Sequence, residues 1–555
     1  MVFVASFHTS ISSLHVNTMA AHSIKSTHGS LESTTDEKIS GTINVAEVSD
    51  LEAQPVISTI MSPNGEKIVV DNNPGIAGVD EALAVAEQYE DIEVSPEEDA
   101  KLRRKLDFLL LPIFGFLYMV QFMDKTCISF AAIMGIQTDF NMTGQMYPWT
   151  SSGFYLGYLC ASPFASYTLQ KLPPVRTSSG CIVIWGTIQC LCAACKTYPT
   201  FMVCRVLLGA LEAFVSPIFV IIMNQYFRKS EHFGRMAYFY GFNGLGTLFM
   251  SGVSGGLYTH KDSYSIKAYN ILFLIIGLMT ILVGFVILAV VPNNPSQAKF
   301  LSEREIAVVV SRIRGNQQGF GTKKFKKEQV IECISDIRTW IYFLIAMCNA
   351  IPNGGVSSFS SIIIKSFGYD TVTALWMKAP SGAFELVFLC ALPWVMMFMK
   401  SRMLVADLYL AVVLMGLCFL AFGTNKMALV GIWIFGMSPV AIATVSSCIA
   451  SNTAGHTKKL TANALSLMAW SCGNMIGPQT FRAEDAPHYN PAKGTFVGCF
   501  AGAFLLIMLL ALLNWRENKK RDDFKKKMGD EYVVVKNQEF ADLTDKQNPE
   551  FRYAF

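Results

Sequence analysis

Twelve apolar runs, each about 18–25 residues long, dominate this chain between residues 108 and 514. A helix rises about 1.5 Å per residue, so each run can cross the roughly 30 Å hydrocarbon core of a bilayer. The runs lie near 108–131, 147–168, 178–195, 200–222, 234–257 and 270–291, then near 338–363, 372–397, 403–422, 427–449, 461–480 and 494–514. Uninterrupted apolar runs of this kind exclude a soluble helical repeat. The eleventh is the most polar, but its Ala, Ser and Gly are the small residues that close helix packing in lipid prefers.

Charge is scarce and confined. Only 16% of the 555 residues are charged, against about 25% in a soluble domain. The charges gather before residue 106, between 296 and 338, and after 515. A net charge of +3 is too small to imply a nucleic-acid partner. Basic residues alternate from loop to loop. Lys101, Arg103, Arg104, Lys105, Lys171, Arg176, Arg228, Lys229, Arg235, Lys323, Lys324, Lys400, Arg402, Lys458, Lys459 and the "RENKKRDDFKKK" segment fall on one side. Because basic loops stay in the cytosol, both termini are expected there and the number of spans is even. The sequon Asn141-Met142-Thr143 then faces outward as a possible glycosylation site.

The expected organisation is a disordered cytosolic tail over 1–100, a six-helix half over 101–292, a cytosolic central loop over 293–337, a second six-helix half over 338–515 and a cytosolic tail over 516–555. Ser95 and Glu98 have capping-box spacing at the entry to the first span. Cys192 and Cys195 read as small apolar residues of a buried helix rather than a redox or metal pair. Two sets of six spans joined by a basic loop form the layout of a 6+6 transporter. No metal-ligand cluster, Walker loop or nucleophile–base arrangement supports an enzyme.

A charge near mid-bilayer costs about 2.5–3.5 kcal/mol on insertion scales, so the charges inside the runs need a reason. Arg205 and Glu212 stand seven residues apart in span four, on one helical stripe. They could form an ion pair that locks helices. Alternatively, Arg205 binds an anionic substrate group bidentately, and the desolvated Glu212 carries a coupling proton. Asp124 and Lys125 sit deep in span one, either as a self-satisfied pair or with Lys125 as a second cation of the site. In span seven, "NAIPNGGVSSF" carries Pro352, Gly354 and Gly355, which point to a broken helix facing a cavity with Asn353, or to a mere kink. Asn243, Asn463 and Asn474 are further candidates for substrate contact or for interhelical hydrogen bonds. Lys365 and Lys378 flank the loop after span seven and read as interfacial and snorkelling.

At these residues the chain resembles the fungal allantoate permease family, the anion:cation symporter branch of the major facilitator superfamily. The matching stretches include "MDKTCISFAAIMG" (123–135), "RVLLGALEAFVSP" (205–217), "NGLGTLFMSGVSGGLY" (243–258), "VPNNPSQAKFLSEREIAVVVSRIRGNQQG" (291–319), "NAIPNGGVSSF" (349–359) and "CGNMIGPQTFRAEDAPHY" (472–489). The resemblance spans about 100–515. It implies an all-α membrane protein of the major facilitator fold, importing a small organic anion with protons across the plasma membrane by alternating access. Allantoate or a related ureido acid is the first expectation. A vitamin (nicotinate, pantothenate, biotin) or a sulfur compound (cysteine, sulfonate) is the alternative, and a non-transporting nutrient sensor the distant one.

The R-x6-E pattern at Arg205 and Glu212 is also similar to that of animal organic-anion transporters, which implies anion binding at the first and proton coupling at the second. "YTLQKLPPVR" (167–176) departs from the superfamily's usual motif between spans two and three. Lys365 and Lys378 lie outside the family pattern and bear on preference for a more anionic solute. The expected cycle pairs Glu212 with Arg205 until protonation of Glu212 frees the arginine for the substrate. Protons are the expected coupling ion with no other cofactor. The expected partners are the anion and the lipid bilayer, and the chain is expected to be a monomer.

Overall fold

The computed structural model describes residues 57–61, 67–71, 94–314, 326–399, 401–528, 543–548 and 550–555. Most of the expected disordered tail lies outside the described residues. Within it, Ile57–Met61 (β1) and Lys67–Asp71 (β2) pair antiparallel with Ile57 opposite Asp71. The two runs are rich in β-branched residues and flank "SPNGE", a turn-forming sequence that the compositional reading passed over.

The rest is helical. The N-terminal half contains α1 (Pro96–Ala131), α2 (Met146–Lys171), α3 (Pro174–Cys192), α4 (Tyr198–Glu212), α5 (Val215–Tyr226), α6 (Lys229–Thr259) and α7 (Ala268–Val290). The central region forms α8 (Glu303–Arg314) and α9 (Lys327–Ser335). The C-terminal half contains α10 (Ile337–Ser366), α11 (Thr371–Trp376), α12 (Ala379–Phe398), α13 (Arg402–Phe422), α14 (Asn425–Phe435), α15 (Ser438–Asn452), α16 (His456–Gln479) and α17 (Asn490–Met528). Taking α4 with α5, α11 with α12, and α14 with α15 as single spans, these fall on the twelve apolar runs. Helix starts follow local chemistry. Ser95 caps α1 in a complete capping box with Glu98. Asp336, Asp370 and Ser401 cap α10, α11 and α13 by accepting first-turn backbone N–H groups.

Among the described residues, seven helical segments are long and apolar enough to cross a membrane on length and composition. The more polar α2, α3, α6, α10 and α16 bury Ser151, Ser152, Ser178, Gln189, Ser254, Asn349 and Asn474 inside the protein. These polar side chains therefore face other helices rather than lipid.

The expected helix break at Pro352, Gly354 and Gly355 is not observed. α10 runs through all three. Close packing surrounds it there: a Cβ on Gly354 would lie 2.5 Å from the Asn474 backbone oxygen, and one on Gly355 2.3 Å from the Phe496 ring. The interruptions fall in spans four, eight and ten instead, after Glu212, before Ala379 and after Phe435. Each is followed within three residues of the new helix start by a proline: Pro217, Pro380 and Pro439. A proline in a first turn needs no donor, but it cannot extend the helix before it.

The halves meet along α6 with α12, α2 with α16, and α1 with α10. Gly244 and Gly382 let α6 and α12 cross closely, since a Cβ on Gly244 would lie 2.3 Å from the Gly382 backbone oxygen. Hydrogen bonds between the halves cluster towards the outer end. Ser129 Oγ donates to Ser361 Oγ at 3.1 Å, Tyr147 Oη to the Ser358 backbone oxygen at 2.6 Å and Gln479 Nε2 to Ser152 Oγ at 2.8 Å. Phe359, stacked on Phe481 at 4.0 Å between centroids, packs beside Tyr147 and completes this seal.

At the cytosolic end, the central region is two docked helices rather than a bare loop. Arg312 of α8 pairs with Asp99 of α1 and Glu231 of α6. Gln329 of α9 accepts from the Thr457 and Lys458 backbone at the start of α16. The C-terminal segment returns onto the second half: Ala554 donates to Asn452, and Arg521 binds the Asp545 and Phe551 backbone oxygens.

Candidate functional site

Gln121, Asp124 and Lys125 share one face of α1 at helical spacing, and α4 presents Arg205 and Glu212 towards it. The charges pair crosswise. Glu212 Oε1 lies 2.6 Å from Lys125 Nζ and accepts from Gln121 Nε2 at 2.8 Å. Arg205 Nη1 lies 3.7 Å from Asp124 Oδ1, and its Nε donates to the Thr150 backbone oxygen. Asp124 Oδ2 also accepts from Trp185 Nε1 at 2.7 Å.

This corrects the expected Arg205–Glu212 pair. Seven residues put the two side chains on one stripe but about 10 Å apart along the axis, beyond direct contact. Each reaches a different residue of α1 instead. Asp124, Glu212 and Arg205 are 0%, 0% and 2% exposed, so the cluster is removed from water. Pairing with opposite charge is what makes such burial tolerable. Glu212 Oε2 has no hydrogen-bond partner. Lys125 keeps some exposure and lies 5.6 Å from the Trp470 ring centroid of α16, at the seam between the halves.

A cavity lies beside this cluster, walled by Phe122 and Thr126 of α1, Thr247 of α6, Asn353, Ser357 and Ser360 of α10, and Lys378 and Glu385 of span eight. It holds about 480 Å³ of empty space, counting what opens to solvent. The interrupted span eight places Lys378 as the N-cap of α12, and Gly436 at the break of span ten lines the same cavity. Lys378 is not interfacial as expected: it is buried, with Nζ 4.2 Å from the Phe130 ring centroid and no hydrogen-bond partner. Lys365 is exposed near the end of α10.

The asparagines divide. Asn353 Nδ2 donates to Asn474 Oδ1 at 2.8 Å, and Asn474 Nδ2 to the Trp470 backbone oxygen. Both therefore join α10 to α16, and of the two only Asn353 also lines the cavity. Asn243 lies near Glu385 at the α6–α12 crossing. Asn463 is exposed, two turns from Trp470, and is not brought into the cluster. Asn141 sits in the exposed loop before α2, with φ 48°, away from the site.

Sequence reasoning left Gln121, Trp185 and Glu385 out of the site and Asp124 without a role there, and it linked Lys378 to solute preference only as an interfacial residue. Lys378 and Glu385 repeat the seven-residue spacing of Arg205 and Glu212 in another apolar span, and each pair adjoins a helix interruption. That repetition was the available signal.

Residues 114–478 match the Major Facilitator Superfamily. Allantoate permease of Saccharomyces cerevisiae is 43% identical over 544 residues, covering 93% of this chain and 97% of that one. A thiamine pathway transporter of the same yeast is 30% identical, over 83% of this chain and 87% of its own. Among solved structures, a D-xylose-proton symporter shares the fold with a TM-score of 0.55 at 12% identity, over 72% of this chain and 97% of its own. With twelve spans in two halves around a buried charged site, the chain belongs to the Major Facilitator Superfamily, in its fungal allantoate permease family, and is a membrane transporter rather than an enzyme.

Proposed function

We propose that this transporter imports a small organic anion together with protons across the plasma membrane, with allantoate or a related ureido acid as its substrate. The observation that carries the reading is the Lys125–Glu212 pair at the seam of the halves, with one Glu212 oxygen left without a partner. Paired, the four charges of the cluster sum to zero. A proton on Glu212 neutralises the carboxylate, leaves Lys125 uncompensated and gives the site a net positive charge. An anion then enters, and the loaded site is neutral again, which lowers the cost of carrying it through an occluded state as the halves rock. On the cytosolic side the proton leaves, Glu212 recaptures Lys125 and the anion is released.

Arg205 has a different part in this cycle from the one its position first indicates. Held by Asp124 and Thr150, it ties α4 to α1 and α2. Protons are the coupling ion and no further cofactor is required. The similarity to allantoate permease supports the substrate, and the thiamine-pathway relative supports a vitamin as the second reading.

The test is uptake of labelled allantoate by yeast that lacks its own permeases and expresses this chain, at pH 5 and pH 7. Strong uptake at pH 5 that collapses with a protonophore is expected. No uptake from a chain demonstrably at the cell surface would reject allantoate and redirect the assay to acidic vitamins.

A further inference from the structure

We infer that Lys378 holds the anionic group of the substrate, and that Glu385 receives N–H donors at its other end. The inference rests on the import reading and deepens it by naming the site's selecting residues and the class of molecule they fit.

Two cations of the N-terminal half are already taken: Arg205 by Asp124 and Lys125 by Glu212. Lys378 is 5% exposed, and its ammonium has no hydrogen-bond partner. Among the described residues its ammonium meets the face of the Phe130 ring, and such a contact contributes only about 0.5–2 kcal/mol. A desolvated ammonium normally acquires an anion or a set of acceptors. Here it borders a cavity between the halves, where an arriving carboxylate would complete it.

The backbone supports the same sign. Lys378 is the N-cap of α12, a 20-residue helix, so the positive end of that helix adds to the ammonium's field. Ser357, Ser360 and Ser381 line the same cavity and supply hydroxyls.

Glu385 stands seven residues further along, about two turns deeper. It is buried, it lines the cavity, and its Oε1 has no hydrogen-bond partner. A carboxylate acceptor opposite a lysine selects an elongated acid with amide-type N–H groups at the far end. A ureido acid has that form, whereas a plain carboxylate of equal length leaves Glu385 unanswered. Asn353 lines the same cavity. Charge balance is kept when Glu212 is protonated, because the substrate's negative charge then replaces the one lost from the cluster.

The experiment measures allantoate uptake by wild type and by Lys378→Met, Lys378→Arg and Glu385→Gln, each quantified at the cell surface. Lys378→Met is expected to raise KM at least about tenfold and to abolish preference for the acid over its neutral carboxamide, with Lys378→Arg falling between. Glu385→Gln is expected to narrow the preference for ureido acids over plain carboxylates of the same length. Unchanged KM and unchanged acid preference in Lys378→Met would overturn the inference. If that variant fails to reach the surface, wild-type protein in vesicles decides. Saturating allantoate must then shield Lys378 from reductive methylation, and equal methylation with and without it overturns the inference. A wild-type chain that takes up no allantoate refutes the import of that anion and this inference with it, whereas a Lys378 variant without effect refutes the inference alone.

Discussion

Lys125 Nζ lies 2.6 Å from Glu212 Oε1, while Arg205 is held by Asp124, the residue before Lys125. Adjacent residues of α1 thus divide the two charges of α4 between them. One pair borders the seam between the halves beside Trp470, and the other is sealed among Trp185, Phe154 and the α2 backbone. In the proposed cycle the first changes state and the second holds the half together.

Removing the titratable group from the first pair should separate binding from coupling. Glu212→Gln keeps a polar side chain for Lys125 and Gln121 but carries no exchangeable charge. Counterflow of labelled substrate between equal concentrations is expected to persist. Accumulation against a gradient is expected to fall to about unity, where a one-proton symporter can reach about tenfold per pH unit of gradient. A variant that still concentrates substrate with normal pH dependence would exclude Glu212 as the coupling site.

The second pair predicts a rescue. Asp124→Asn leaves the Arg205 guanidinium buried without its counter-charge, a change that costs about 3–5 kcal/mol when a buried pair is broken. Folded protein at the surface should drop sharply. Adding Arg205→Gln removes the orphaned charge, and surface level and transport are both expected to recover in large part. If surface level recovers while transport stays at background, Arg205 contacts the anion itself and is more than a tie between helices.

Much of this organisation was legible in the sequence, and the failures share a cause. Hydropathy together with the small residues of the polar eleventh run located the twelve spans, and the Ser95–Glu98 spacing located the start of α1, because each is set within one segment. Which charge meets which was not legible. Arg205 and Glu212 share a stripe, but axial rise separates them, and only the placement of α1 supplies their partners. Pro352 looked like a break and is not one, with Asn474 and Phe496 packed closely against the following glycines. The true breaks precede Pro217, Pro380 and Pro439, prolines that sit in first turns. Lys378 and Lys365 look alike as loop-flanking lysines, yet the interruption of span eight turns one inward.

At the cytosolic end, Lys458 binds Glu332, Asp336 and Asp545 at 2.9, 3.1 and 2.7 Å, fastening the C-terminal segment to α9 and α16. Burial pushes the Asp336 carboxyl up, but Lys458 and Lys546 outweigh it and hold it below the usual carboxylate range. Its contribution to stability is therefore present above about pH 4, its ordinary value, and is lost as the pH falls through the lower folded value. Lys458→Met leaves the three carboxylates with only the half-exposed Lys546 among them to offset their charge and should cost about 3–5 kcal/mol. Thermal unfolding in detergent at pH 7 should show a lower Tm, and proteolysis should release residues 543–555 first. An unchanged Tm would mean that the cluster adds nothing beyond its neighbours' packing.

The outer seal offers a direct handle on the rocking of the halves. Ser129 on α1 and Ser361 on α10 approach to 3.1 Å between hydroxyl oxygens, and the Ser361 backbone N–H also donates to Ser129 Oγ. Side chains this close can carry a disulfide, whose sulfurs bond at about 2.05 Å, after a small shift. Ser129→Cys with Ser361→Cys should therefore cross-link under mild oxidation and fix the outer end shut. Uptake is expected to fall to background on oxidation and to return on reduction, with each single variant unaffected as a control against the 14 native cysteines. Binding from the cytosolic side should survive in the cross-linked protein, because the Lys125–Glu212 pair lies about one turn of α1 nearer the cytosolic end than Ser129. Uptake that continues through a confirmed cross-link would mean that α1 and α10 need not separate there, and would move the outer gate elsewhere.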